Sequence, residues 1–216
     1  ADCGRLLRIA AAFVESSERV TREEWNYFTE RVDPGRTLPG VNGIALVRVV
    51  DPGDLDAFVG SMRAEGVADF RVWDRGAGGD SEPDRHYVVT FLEPAATNRA
   101  VWGLDVARDP VNRSAYDESR DLGVPRMTPV MELAQKDAAG APQLGVVLAM
   151  PFYEGEAPGT VEERRERVRG WVSVSIDARV FLGQWWMGSG LGGSCRLTEI
   201  GGADPTVTLL VRHARG

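Results

Sequence analysis

Apolar residues recur at helical spacing along the start of the chain, first Leu6, Ile9 and Phe13, then Val20, then Trp25, Phe28 and Val32. The spacing predicts one long helix over 5–33. It is interrupted once: the step from Val20 to Trp25 is five, and Thr21 followed by Glu24 has the form of a capping box, so a kink or restart is expected there. Asp33, Pro34 and Gly35 end the pattern, since proline cannot continue a helix and glycine suits its C-terminal side. The period then becomes mixed. Residues 44–50 form a short apolar run suited to a buried strand, and 52–65 an amphipathic helix with Leu55, Phe58, Val59 and Met62 on one side.

Strands are predicted at 70–73 and 87–92, on either side of a Gly-, Asp- and Pro-rich loop at 75–84 that is expected to be mobile. A polar helix over 112–122 closes at Gly123. Residues 127–133 and 144–153 read as strands joined by a turn around Ala139, Gly140 and Pro142. A charged helical segment at 161–169 leads into a strand at 171–176. A short aromatic helix over 180–187 then precedes a hairpin made of 195–200 and 207–211. Helices alternating with short strands and tight turns predict an α+β fold on a largely antiparallel sheet. The final portion is too short for an independent domain and reads as the start of a second small module.

Composition narrows the function. The chain has 216 residues, 43% of them hydrophobic, and a net charge of −7. It can bury a sizeable core, and its arginines are scattered without a basic stripe, which excludes the electrostatic footprint of a nucleic-acid binder. No apolar stretch approaches the roughly 18 residues of a membrane span. The chain nevertheless begins inside a helical pattern and stops after an apolar run, as if cut from something longer.

Candidate chemistry is sparse. His86 and His213 have no cysteine or carboxylate at ligand spacing, and each reads as a structural or exposed histidine. Gly188, Gly190 and Gly193 match G-x-G-x-x-G, but a helix precedes and a strand follows, the reverse of a dinucleotide site, so they read as a turn. The charge run from Glu162 to Arg167 reads as a solvated helix face. No nucleophile elbow or metal motif occurs, so neither an enzyme nor a metal or cofactor is expected. The informative residue is Asp105, set in the apolar run Val101-Trp102-Gly103-Leu104-Asp105-Val106. A buried carboxylate needs donors around it. Position alone leaves two readings, a helix N-cap or internal strut, and the polar anchor of a ligand pocket.

The run Tyr87-Val88-Val89-Thr90-Phe91-Leu92-Glu93-Pro94 is followed by Asn98, by Gly103-Leu104-Asp105 and by an Arg- and Asp-rich helix ending at Gly123. After these come 128–135 and the run Leu144-Gly145-Val146-Val147-Leu148-Ala149-Met150-Pro151-Phe152-Tyr153. In order and spacing this set resembles the CHASE domain, the extracytoplasmic sensor of many bacterial histidine kinases and nucleotide cyclases and of the plant cytokinin receptors. The resemblance implies a stalk helix at 1–36, a membrane-distal PAS-like ligand-binding domain at 37–180, and an incomplete membrane-proximal PAS-like module at 181–216. It places the domain on the periplasmic or extracellular side of a membrane-anchored receptor, such as a histidine kinase or diguanylate cyclase.

The resemblance also implies a site. Asp105 takes the place of the acidic residue that binds the adenine part of the plant hormone. Backbone groups of Met127 and Thr128 line the pocket, Val147 and Ala149 form its wall, and Phe91 and Gln135 lie on the enclosing strands. The plant receptors carry threonine where Ala149 stands, so the expected ligand is either cytokinin-like or another small amphiphile with a donor for Asp105. A homodimer is expected through the first helix by way of Leu6, Ile9 and Phe13, and Cys3 and Cys195 are expected to lie near one another. The alternative function is an extracytoplasmic interaction or dimerisation module without a small ligand.

Overall fold

Where the pattern predicts one helix over 5–33, the chain forms two, α1 (Asp2–Glu15) and α2 (Arg22–Val32). The computed structural model describes residues 2–76, 83–137, 139–188, 193–198 and 208–213. The break has a local cause. Ser16 and Ser17 turn their hydroxyls back onto the Phe13 carbonyl, at 2.8 and 3.2 Å, and the helix ends there. Thr21 restarts it: its hydroxyl accepts the Glu24 N–H at 3.2 Å while the Glu24 carboxylate accepts the Thr21 N–H at 2.9 Å. The buried stripe of α1 also differs from the expected one. Leu6, Leu7, Ala10, Ala11 and Val14 are buried, Ile9 stays 50% exposed, and Phe13 stacks on Phe28 with ring centroids 4.7 Å apart. Asp33, in the left-handed region at φ 42°, turns the chain into the one-turn helix α3 (Pro34–Thr37).

The sheet follows. Strand β1 (Val41–Val50) leads through a 3-10 turn into α4 (Leu55–Ala64), then to β2 (His86–Glu93) and the short α5 (Ala95–Asn98). After α6 (Pro110–Leu122) come β3 (Arg126–Met127), β4 (Met131–Lys136), β5 (Pro142–Tyr153), α7 (Val161–Arg167) and β6 (Val168–Asp177). All pairings are antiparallel, in the order β2-β1-β6-β5-β3, with β4 on β5 as well. The strand expected at 127–133 is thus two edge pieces, because Pro129 has no N–H to give the ladder. Thr128 closes the gap: its N–H donates to the Val147 carbonyl at 2.9 Å and its hydroxyl accepts the Val147 N–H at 3.0 Å.

Alternation along these strands makes two unlike faces. Ile44 and Leu46 of β1 lie opposite Val174 and Val172 of β6, and this side is covered by α1 and α4. Ala45 lies opposite Ser173, and the other side is covered by α6. There Trp171 donates from its indole to the Tyr116 carbonyl at 3.1 Å, with its ring 4.5 Å from that of Tyr87.

The strand expected at 70–73 does not form. It is reduced to one bridge between Trp73 and Leu104. The middle of the loop that was expected to be mobile, 77–82, lies outside the described residues. Beyond β6, α8 (Ala178–Gly188) packs Ala178 and Leu182 on Val130 and Leu144, and β7 (Gly193–Thr198) pairs antiparallel with β8 (Thr208–His213) as the expected hairpin. The side chain of Cys195 lies outside the described residues, and with it the expected approach to Cys3. Among the described residues no helix is long and apolar enough to cross a membrane.

Candidate functional site

The segment 103–109 is laid beside β2 by backbone bonds. The Gly103 N–H reaches the Val89 carbonyl at 2.7 Å, the Val89 N–H reaches Leu104 at 2.9 Å, and the Asp105 N–H reaches Trp73 at 2.8 Å. Gly103 has to be glycine here: its φ is +83°, and an added Cβ would fall 1.9 Å from the Arg71 carbonyl oxygen. This close approach delivers Asp105, 2% exposed, to the start of the 3-10 turn Val106–Arg108. One carboxylate oxygen accepts the N–H groups of Tyr87 at 2.9 Å and Ala107 at 3.1 Å, and the other meets His86 Nδ1 at 2.7 Å. Both of its oxygens are engaged by the protein itself. Four residues on, Asp109 caps α6 by accepting the N–H groups of Val111 and Asn112.

Between this turn, α6 and the Ser173 side of the sheet lies a slot of about 60 Å³. Its walls include Val89, Leu104, Val106, Leu133 and Val147, and it carries the polar side chains of Asn112, Tyr116, Gln135, Ser173 and Ser175. Two of these pairs bond to each other: Gln135 Nε2 donates to Ser175 Oγ at 2.6 Å, and the Tyr116 hydroxyl donates to Ser173 Oγ at 3.1 Å. Each serine therefore keeps its own proton to donate, and Gln135 keeps its amide oxygen to accept. Burial pushes the Tyr116 phenol up to about 12, so it stays a neutral donor. Among the described residues the Asn112 side-chain amide has no hydrogen-bond partner.

Arg75 and Arg108 stand at the rim, both partly exposed. Arg75 donates to the Glu132 carbonyl at 2.7 Å and to its carboxylate at 3.2 Å, and Arg108 lies 3.7 Å from Asp74. Apart from Asp105, whose carboxylate oxygens are both engaged by the protein, and the charged groups at the rim, the slot is lined by apolar side chains and a few neutral hydrogen-bonding groups, the composition of a small-molecule site. No group of three or more His, Cys, Asp or Glu side chains is placed to hold a metal ion among the described residues.

Of the residues singled out from the sequence, Asp105, Gln135 and Val147 line the slot. Phe91 does not; it is buried on the other side of the sheet, edge-on to Trp102 with centroids 5.4 Å apart. Met127 is 59% exposed and, with Thr128, borders a separate surface groove beside α6, while the Thr128 N–H is spent on the β5 ladder. Ala149 is buried opposite Ser173, two residues along β5 from Val147, and does not line the slot. Sequence reasoning missed Ser173 and Ser175, although the alternation Val172-Ser173-Val174-Ser175-Ile176 in a strand buried on both sides signals a polar patch. Asn112 and Tyr116, four apart on α6, carried the same kind of signal.

The charge run at 162–167 is in part a solvated face, and in part a clamp. Glu163 closes a capping box with Thr160, while Arg164 donates to the Asp121 carbonyl at 2.9 Å and Arg165 to the Asp121 carboxylate at 2.5 Å. His86, read as structural or exposed, is buried with its Nδ1 on the Asp105 carboxylate. A search of curated proteins finds no match. The model of one family, the CHASE domain, matches residues 18–192, from the α1–α2 link to the region just before β7. With this match over most of its length, the chain belongs to the CHASE domain family, the extracytoplasmic, non-catalytic sensor domains of receptors.

Proposed function

We propose that the slot between α6 and the Ser173 side of the sheet is the sensing site, and that it takes a small neutral amphiphile. The observation that carries this reading is the set of unspent groups inside it: the Ser173 and Ser175 protons, the Gln135 oxygen and the Asn112 amide, held within apolar walls. Asp105 supports the site from behind by fixing the 103–109 turn. About 60 Å³ is several times the 10–15 Å³ needed for one water, and it suits a ligand smaller than a substituted adenine.

The antiparallel order β2-β1-β6-β5, with β3 and β4 on one edge, supports reading 37–180 as a membrane-distal PAS-like ligand domain. In this reading 1–36 leads from a membrane anchor, 181–216 begins a membrane-proximal module, and a kinase or cyclase lies beyond. The exposed Ile9 on α1 is the point through which two copies would meet. Binding transmits a signal only by its differential affinity for two arrangements of those helices.

A thermal-shift screen of neutral metabolites tests the site. A ligand is expected to raise the melting temperature of the wild type and to lose that effect in Asn112→Leu, which fills the polar end. If no compound stabilises the wild type, or if Asn112→Leu responds as the wild type does, the domain acts as an interaction module instead.

A further inference from the structure

On the far side of the sheet from the slot, β1, β6, α4 and the link between α1 and α2 enclose a second groove of about 640 Å³. Three arginines from three elements converge on it: Arg19 from the link, Arg48 from β1 and Arg169 from β6. Arg19 is paired with Glu65. The other two have no carboxylate within 4 Å among the described residues. Arg48 donates to the Val20 carbonyl at 3.2 Å and Arg169 to the Glu18 carbonyl at 2.9 Å. A guanidinium has five N–H donors in a planar fork, so one carbonyl leaves most of each fork unspent. Burial holds the Arg48 guanidinium down to about 10, and the charges of Arg169 and Arg19 add to this. Glu18 and Glu65 also line the groove, and Glu65 is spent on Arg19, so three guanidiniums face two carboxylates and positive charge remains in excess beside Arg48 and Arg169, which an added anion would offset. The floor beside them is apolar, formed by Phe58, Met62 and Phe91.

We propose that this groove binds a small oxyanion, a phosphate or carboxylate on an apolar stem, held between Arg48 and Arg169. Both guanidiniums suit bidentate contact with such a group, and the stem would rest on Phe58 and Met62. The site is separate from the slot and does not depend on the reading given to it. Because the same two arginines hold carbonyls of the α1–α2 link, an occupant would be felt where the two helices join.

Calorimetric titration with phenyl phosphate, at constant ionic strength set with sodium chloride, tests the site. The wild type is expected to bind with Kd below about 1 mM. Arg169→Gln, at a partly exposed position, should weaken binding at least about tenfold. Arg48→Lys, which keeps the charge and loses the fork, should weaken it too, with circular dichroism unchanged in both variants. Arg5→Gln removes an exposed charge from α1 outside the groove and should bind as the wild type does. Inorganic phosphate and vesicles containing phosphatidylglycerol extend the comparison: saturable binding to vesicles that Arg169→Gln abolishes assigns the oxyanion to a lipid headgroup, and binding to phenyl phosphate alone assigns it to a soluble molecule. The proposal is overturned if the wild type binds none of these probes, if Arg169→Gln binds as tightly as the wild type, or if Arg5→Gln weakens binding equally. Variants that melt earlier without any change in anion affinity would leave the two arginines as fasteners of the link.

Discussion

The two faces of the sheet are built from the same strands and differ in nearly everything else. Toward α1 and α4, Ile44, Leu46, Val172 and Val174 are fully buried and aliphatic. Toward α6, the intervening positions supply Ser173 and Ser175, and the covering helix supplies Tyr116 and Asn112. One residue along a strand changes the face. At Ile44, Leu46, Val172 and Val174 the first face holds the fold by close packing, and its groove lies farther along, at Arg48 and Arg169; the second face instead carries a small void among polar pairs at the centre of the strands. The contrast teaches that stability and binding are written into alternate letters of the same strands, so substitutions on neighbouring residues should have different kinds of effect.

The largest effect is expected on the α1 side. Leu46→Ala leaves a cavity among side chains that have no room to collapse, and should cost about 2–5 kcal/mol in urea unfolding. A loss below about 1 kcal/mol would mean that this side is as loosely packed as the other. Asp105→Ala comes next, since it strands the N–H groups of Tyr87 and Ala107 and removes the partner of His86. With about 1–3 kcal/mol for each buried donor left unpaired, the loss should reach about 3 kcal/mol. The other reading of this residue, a direct acceptor for the ligand, requires unchanged melting with lost affinity, and the melting curve separates the two.

A smaller effect belongs to the clamp at the end of α6. The hydrogen bond from Arg165 holds the Asp121 carboxyl down to about 2, with Arg120 adding to it. A carboxylate whose folded value is depressed stabilises the protein above its unfolded value, about 3.9, and loses that contribution as the pH falls from there toward 2. Melting temperatures measured from pH 5 down to 2.5 should therefore fall more steeply in the wild type than in Asp121→Asn. Parallel curves would remove Asp121 from the acid response. The smallest change in stability, about 1 kcal/mol or less, is expected for Ser175→Ala. It should nevertheless weaken ligand binding, since it deletes a donor inside the slot.

Much of this was legible before any coordinates. Most strand runs, the helix ends at Gly123 and Asp33 and the restart at Thr21 follow from period, capping and turn chemistry, whereas position alone left Asp105 open between a cap or strut and a pocket anchor. Of the α1 stripe expected to stay partly exposed, Leu6 is buried and Phe13 packs on the core, and Ile9 alone stays exposed, because the face toward the sheet also takes in Leu7, Ala10, Ala11 and Val14. The site was only half legible for a related reason. Asp105 draws attention as a charge in an apolar run, but serines spaced two apart in a strand become a site only when the covering helix brings Asn112 and Tyr116 over them. Met127 and Thr128 were placed by family resemblance, and Pro129 sends that edge outward, leaving Thr128 to mend the ladder.

The claim that ligand sensing belongs to the α6 side is tested most directly by methyl NMR of the Val and Leu side chains during titration with a neutral compound that raises the melting temperature. The methyl signals of Val89, Val106, Leu133 and Val147 should move with the titration, while those of Leu46, Val172 and Val174 stay in place. Movement confined to Leu46, Val172 and Val174, with the slot methyls unchanged at saturation, would contradict the account.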